Sequence, residues 1–380
     1  MNQEYWVSIW AKRRQDEVIH TPYNYIIHED FLKHMDKDEI KTSFLELNSL
    51  FRYIYSDIAK YPKEFGMPLY SKDEYRLFSK EWRDSGQAPY RPFILLYNLL
   101  ICGEIIYGTG VAVSIQKYKA LKPPPKHLSG IDQKIRQSQV LFKKLTDYGF
   151  VFDGLKNNKP ATGDIIITYP DNPAILYLLK HLVDKAYCAN CLEDFLCCHF
   201  RLLQNDIKTV DYGTDVDIIS DRVTDEERKI VCAIDSHLKD RGFFAKPYGG
   251  IECHGVAYYH NEKDANSKKP YSFRITTRGM DFDVPDDSLK KMRLQLRIRN
   301  VSKCVEYVES CPDSIKQIFT EYSDDGCGNR ERSSCKHGIE YEIDNKNYWR
   351  CACCHAAFNI KPELANIPHY IKLVELGEKK

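Results

Sequence analysis

At 380 residues the chain is longer than one hydrophobic core usually organises, so two or three domains are expected. Apolar residues make up 43% of it and aromatics 12%, enough for packed cores and too much for long disorder. The 55 Lys and Arg against 54 Asp and Glu give a net charge of +1, which excludes a global field drawing the protein to nucleic acid or a membrane surface; such a partner has to be met by a local patch.

The opening stretch, "MNQEYWVSIWAKRRQDE", places Glu4, Trp6 and Trp10 where a signal peptide needs a basic residue and then a plain apolar run, so no export is expected. The most apolar segment, Phe93 to Ile106, is shorter than the roughly 20 residues that span a bilayer and contains Glu104; it is predicted to be a buried helix, with no membrane partner. In the cytoplasm the 14 cysteines are then expected to be reduced thiols or metal ligands rather than disulfides.

The expected fold class is α+β. Residues 1–121 form a helical domain, in which Ile40, Phe44, Leu47, Leu50, Phe51 and Ile54 repeat at spacings of three and four. Three consecutive prolines at Lys122 to Lys126 forbid helix and mark a boundary. Residues 127–205 follow in the order helix, strand, polar turn "KNNKPATGD", strand, helix, with Asp171 or Asn172 capping the last helix ahead of Pro173. Residues 206–320 repeat a helix, opened by a Thr224/Glu227 capping box, followed by antiparallel strands. The junctions "LTDYGFV" and "LKDRGFF" are alike, each a helix end, a left-handed glycine and an apolar strand, which points to a duplicated unit or to two similar glycine stops.

A basic run from Lys117 to Lys144 crosses the boundary between the first two regions: Lys117, Lys119, Lys122, Lys126, Lys134, Arg136, Lys143 and Lys144 stand against one acid, Asp132. Basic residues ahead of a helix and a two-stranded hairpin suit a winged-helix-like unit on phosphates, DNA or RNA; a solvated helix face is the plainer alternative. The strip "KKMRLQLRIR" is expected to be a half-buried strand with one wet, basic face.

Residues 321–360 carry the cysteine cluster. Cys351 and Cys354 have the C-x-x-C spacing that lets two thiolates meet one tetrahedral metal, and a hairpin of "IEYEI" and "YWRC" about "DNKN" folds Cys335 back toward them. Cys327, in a polar glycine-rich loop, completes four sulfurs, with Cys353, His337 and His355 as alternative ligands. The arrangement from Cys327 to His355 resembles a zinc ribbon, with a first pair spaced more widely than usual; the resemblance implies one structural zinc.

Other signals are weaker. Cys188 and Cys191 form a second C-x-x-C, followed by Cys197 and Cys198, but Leu192, Phe195, Leu196, Phe200 and Leu203 read as a core stripe there, with a redox pair as the alternative. Cys253 and His254 are adjacent on a predicted strand and point to opposite faces. No glycine-rich nucleotide loop, serine elbow or H-E-x-x-H occurs. The leading expectation is a cytoplasmic, non-enzymatic zinc-binding protein acting on nucleic acid through Lys117, Lys119, Lys134, Arg136, Lys143 and Lys144. The alternatives are an enzyme using His254, His260, Asp281 or Asp283 as acid and base, and a protein-interaction scaffold on the aromatic N-terminal helices.

Overall fold

A computed structural model describes residues 5–18, 25–71, 84–121, 135–161, 163–206, 208, 216–220, 223–250, 253–267, 269–277, 292–320, 338–351 and 357–378. It is α+β, helices with antiparallel sheets, and divides into two compact units, Met1–Asp211 and Tyr212–Lys380.

In the first unit the helices α1 (Trp6–Glu17), α2 (Lys37–Lys60), α3 (Arg91–Ile101) and α6 (Pro173–Cys188) supply the core. Asp36 caps α2 by accepting from the Asp38 and Glu39 amides, satisfying donors that the first turn leaves open. Ile40, Phe44, Leu47, Phe51 and Ile54 are buried as the helical spacing predicts, while Leu50 sits at the flank of the stripe, half-buried. Phe51 packs on Phe93 of α3 with ring centroids 4.3 Å apart.

The helix predicted from Phe93 onward stops at Ile101, and Gly103–Ile106 (β1) and Gly110–Val113 (β2) form a hairpin inside the stretch expected to be wholly helical. The helical part of the apolar run is buried, whereas β1 exposes Glu104 and Ile106; hydrophobicity alone did not separate the two conformations, and β-branched Ile105, Ile106, Val111 and Val113 favour the strand. After α4 (Ile115–Ala120) come α5 (Ser138–Asp147), β3 (Val151–Asp153) and β4 (Ile165–Thr168), and the sheet order is β1-β2-β4-β3. This sheet takes strands from both sides of the proline-rich connector at Lys122 to Lys126. Asn172 accepts from the Ala174 amide at 3.2 Å and caps α6, with Pro173 in its first turn.

On α6, His181 stacks its ring on that of His34 at 4.7 Å, and its Nε2 is buried with no hydrogen-bond partner among the described residues. Burial, and then the neighbouring His34 and Lys180, push the His181 imidazole down from 6.5 to about 4. Between those two values the unfolded chain binds a proton that the folded one refuses, so stability falls as pH drops through the window and the loss is complete below about 4. Urea melts at pH about 7 and about 5 are expected to show a smaller acid loss in His181→Gln than in the wild type.

In the second unit the sheet order is β11-β8-β7-β6-β5, comprising β5 (Phe244–Gly250), β6 (Cys253–Tyr259), β7 (Phe273–Thr277), β8 (Met292–Arg297) and β11 (Ala357–Ile360), all antiparallel. Helices α7 (Asp225–Lys239), α8 (Asp313–Thr320) and α9 (Ile367–Glu378) share the core with it. The predicted capping box opens α7: Glu227 N donates to Thr224 Oγ1 at 3.2 Å and Thr224 N to Glu227 Oε2 at 2.9 Å. Pro247 lies on edge strand β5, where a missing amide costs no ladder bond. A separate hairpin, β9 (Gly338–Ile343) and β10 (Lys346–Cys351), has Tyr341, Ile343 and Trp349 buried. The stretch 321–360 thus contributes both this hairpin and, through β11, the edge of the main sheet.

The strip Met292–Arg297 departs from expectation. It is an inner strand covered on both faces, with Arg293 4% and Gln295 7% exposed, because β7 and β11 flank it and its polar side is also occluded.

The two glycine junctions are built alike. Gly149 and Gly242 are left-handed (φ 94 and 79), and Phe150 N and Phe243 N each donate to the carbonyl five residues back, Leu145 O and Leu238 O, at 3.1 Å. The strands that follow enter differently ordered sheets: β3 pairs with β4 after a long excursion, β5 directly with β6.

Candidate nucleic-acid interface

Helix α5 turns Leu141, Phe142 and Leu145 inward, where Phe142 meets Phe152 of β3 edge to face at 5.1 Å. Its outer face carries Gln139 and Lys143. Between β3 and β4 the chain makes a short ladder, Leu155–Lys156 with Lys159–Pro160, closed by Asn157 and Asn158 at φ 51 and 55. Asparagine tolerates this left-handed pair, the mirror-type turn that suits strand twist, and Lys156 and Lys159 flank it in solvent. Gln139 Nε2 donates to Asn157 O at 3.2 Å, which ties the hairpin tip to the first turn of α5.

The basic residues named from the sequence separate into distinct environments. Arg136 pairs with Asp84 at 2.9 Å, and Lys117 with Glu104 at 3.0 Å. Lys144 turns back to Glu64 at 2.5 Å and lies 5.1 Å from the centre of the Phe65 ring. Lys119 and Lys143 are exposed, and Lys134 lies outside the described residues. Sequence reasoning missed Lys156 and Lys159, although two lysines bracketing Asn-Asn between strand-like runs were the available signal. Among the described residues Lys143, Lys156 and Lys159 have no carboxylate partner. Exposed Asp147 lies at the other end of α5, about 12 Å along the axis from Gln139.

Of the expected metal ligands, Cys327, Cys335 and Cys354 lie outside the described residues, as do the alternatives Cys353, His337 and His355. Cys351 ends β10 with its backbone opposite Gly338, its side chain outside the description. The hairpin turn is Asp344-Asn345, both left-handed at φ 49 and 60. Among the described residues no group of three or more His, Cys, Asp or Glu is placed to hold a metal ion.

Where they are described, the remaining candidates sit in the following surroundings. Cys188 ends α6 and Cys191 follows its turn; burial and nearby Asp194 push the Cys191 thiol up to about 12, the reverse of a redox-active thiolate. Leu192, Phe195, Leu196, Phe200 and Leu203 are buried, as the core stripe predicts. His260 uses one nitrogen, Nε2, toward both Ser272 Oγ (3.0 Å) and Glu378 Oε2 (2.5 Å), while Ser272 is buried; this clasps the end of α9 rather than forming a serine–histidine relay. The His254 side chain and both Asp281 and Asp283 lie outside the described residues. Of the N-terminal aromatics, Trp6, Trp10, Phe44, Phe51, Tyr55 and Phe93 are buried in the core, while Tyr53 and Tyr61 are exposed. No described helix is long and apolar enough to cross a membrane. No protein-family model, curated protein or solved structure matches the chain.

Proposed function

We propose that the first unit binds duplex DNA, with α5 in the major groove and the Lys156–Lys159 hairpin tip on the adjoining backbone. The observation that carries this is the Gln139 to Asn157 bond, which holds the start of α5 and the tip together beside Lys143, Lys156 and Lys159, three cations without carboxylate partners among the described residues. The order α3, β1–β2, α4, α5, β3, hairpin, β4, with β4 between β2 and β3, supports it as the connectivity of a winged helix. A helix about 10–12 Å across suits the roughly 12 Å major groove of B-DNA, whereas the major groove of duplex RNA is too narrow.

Fluorescence anisotropy on a short labelled duplex, between about 50 and 200 mM salt, tests the proposal. Three phosphate contacts give a log–log salt slope of about −2.7, and Lys143→Glu/Lys156→Glu/Lys159→Glu is expected to weaken binding at least about tenfold and flatten that slope. No binding by the wild type at low salt, or binding unchanged in the triple variant, rejects it.

A second proposal concerns zinc. The β9–β10 ladder ends at the Gly338↔Cys351 pair, and in the sequence Cys335 lies three residues before Gly338 and Cys354 three residues after Cys351. That favours Cys335, Cys351 and Cys354, with Cys327, as thiolate ligands of one structural zinc.

A further inference from the structure

Gln139 is exposed in the first turn of α5, and one side of its amide is already held. Its Nε2 donates to Asn157 O at 3.2 Å. That oxygen belongs to the central peptide of the Asn157-Asn158 turn, which the ladder of Leu155–Lys156 with Lys159–Pro160 does not use. A carbonyl can only accept, so the bond also settles which way round the amide stands: nitrogen to the hairpin tip, oxygen away from it. One of the two N–H hydrogens is spent in this way. The other, and the Oε1 lone pairs, meet no partner among the described residues.

The residues just ahead of it are engaged elsewhere. Arg136 pairs with Asp84 at 2.9 Å, and Gln137, left-handed at φ 60, lays its amide over Gly66, where a Cβ would stand 3.0 Å from its Cδ and Oε1. Lys143 follows Gln139 one turn on and shares its outer face. An unanchored surface glutamine gives up rotamer freedom when it binds; the Asn157 bond has removed part of that freedom beforehand.

Resting on the DNA reading of the first unit, we propose that Gln139 reads adenine in the major groove, its Oε1 accepting from the N6 amino group and its remaining Nε2 hydrogen donating to N7. The other bases match this pair of groups less well. Guanine presents two acceptors, N7 and O6, and so sets oxygen against Oε1; cytosine offers a single donor at N4, and thymine an acceptor and a methyl group. Contacts of Lys143, Lys156 and Lys159 to phosphate fix register and carry no sequence information, so losing them and losing Gln139 have different signatures.

Selection by the full chain from a pool of duplexes with a randomised centre, then fluorescence anisotropy on the enriched duplex, tests it. The enriched sites are expected to share an adenine, and its exchange for guanine to weaken wild-type binding at least about fivefold, the low end for a bidentate base contact. At that position 7-deazaadenine, which lacks the N7 acceptor, is expected to cost about two- to tenfold, the range for one hydrogen bond. Gln139→Ala is expected to lose both discriminations. A glutamine that only braced the hairpin tip would, once removed, weaken every duplex alike and leave the preference in place, and that result overturns the proposal. So does an enriched pool without a shared adenine. Circular dichroism checks the fold of Gln139→Ala; should it bind too weakly to compare, 7-deazaadenine decides on the wild type, where unchanged binding overturns the assignment. No binding of any duplex at low salt overturns the DNA reading and this inference together, whereas duplex binding without the adenine preference overturns this inference alone.

Discussion

Elemental analysis of the protein purified without a histidine tag is expected to find one zinc per chain, and Cys351→Ser/Cys354→Ser to lose it together with the fold of the C-terminal hairpin. Structural zinc is worth about 10–16 kcal/mol in isolated zinc-finger peptides, as much as the whole stability of a typical domain, so losing it is the largest single change available to this chain. The hairpin also has little core of its own. Tyr341, Ile343 and Trp349 are its buried side chains, and a lone hairpin in water is marginal.

The loss should spread along defined contacts. Tyr341 Oη donates to Phe319 O at 2.6 Å, and the Phe319 ring lies 4.6 Å from that of Phe358 on edge strand β11. Freeing the hairpin removes one side of that packing, so a red shift of Trp349 emission and weakened protection of β11 amides are expected with the metal loss. A wild type without zinc, or a double variant that keeps it, rejects the assignment.

What the sequence disclosed follows from how local each signal is. The Thr224/Glu227 box, the Asn172 cap, the glycine stops at Gly149 and Gly242 and the Asp344-Asn345 hairpin all depend on a few neighbouring residues, and each forms as read. The helix-to-strand change after Ile101 was not legible, because a nearly continuous apolar run carries no periodicity to distinguish the two conformations. The Met292–Arg297 strip misled for the opposite reason: alternation proclaims two different faces, but whether the polar one is wet depends on partners remote in sequence.

The candidate interface shows the same division. A charge run locates basic residues, yet Asp84, Glu104 and Glu64, which pair with Arg136, Lys117 and Lys144, come from distant parts of the chain or from another element. Lys156 and Lys159 gain their place beside α5 only through folding of the hairpin, fixed by Gln139 and Asn157. Spacing along the sequence therefore found the region, and tertiary pairing decided which of its charges keep no carboxylate partner among the described residues.

Arg14→Leu is expected to destabilise the first unit by about 3–5 kcal/mol, the usual cost of removing one partner from a buried ion pair. Arg14 is 1% exposed on α1, with its Nη1 2.8 Å from both Glu17 carboxylate oxygens. Its guanidinium lies between two rings, 4.8 Å from the centre of Trp10 and 4.6 Å from that of Tyr90. Burial alone would lower its pKa; Glu17, by charge and hydrogen bond, together with Tyr90 and Tyr55, more than reverses this and raises it, so the cation is retained by its surroundings. Leucine would leave the Glu17 carboxylate nearly enclosed without its counter-ion. Replacing both, in Arg14→Leu/Glu17→Leu, removes the stranded charge and should recover most of the loss, because an apolar pair of similar volume avoids the desolvation cost altogether. Urea melts of the wild type, both single variants and the double variant measure the coupling directly. A double variant as unstable as the sum of the singles would mean that the aromatic sandwich, rather than the ion pair, sets the cost, since both Trp10 and Tyr90 lose the cation in Arg14→Leu whatever stands at position 17.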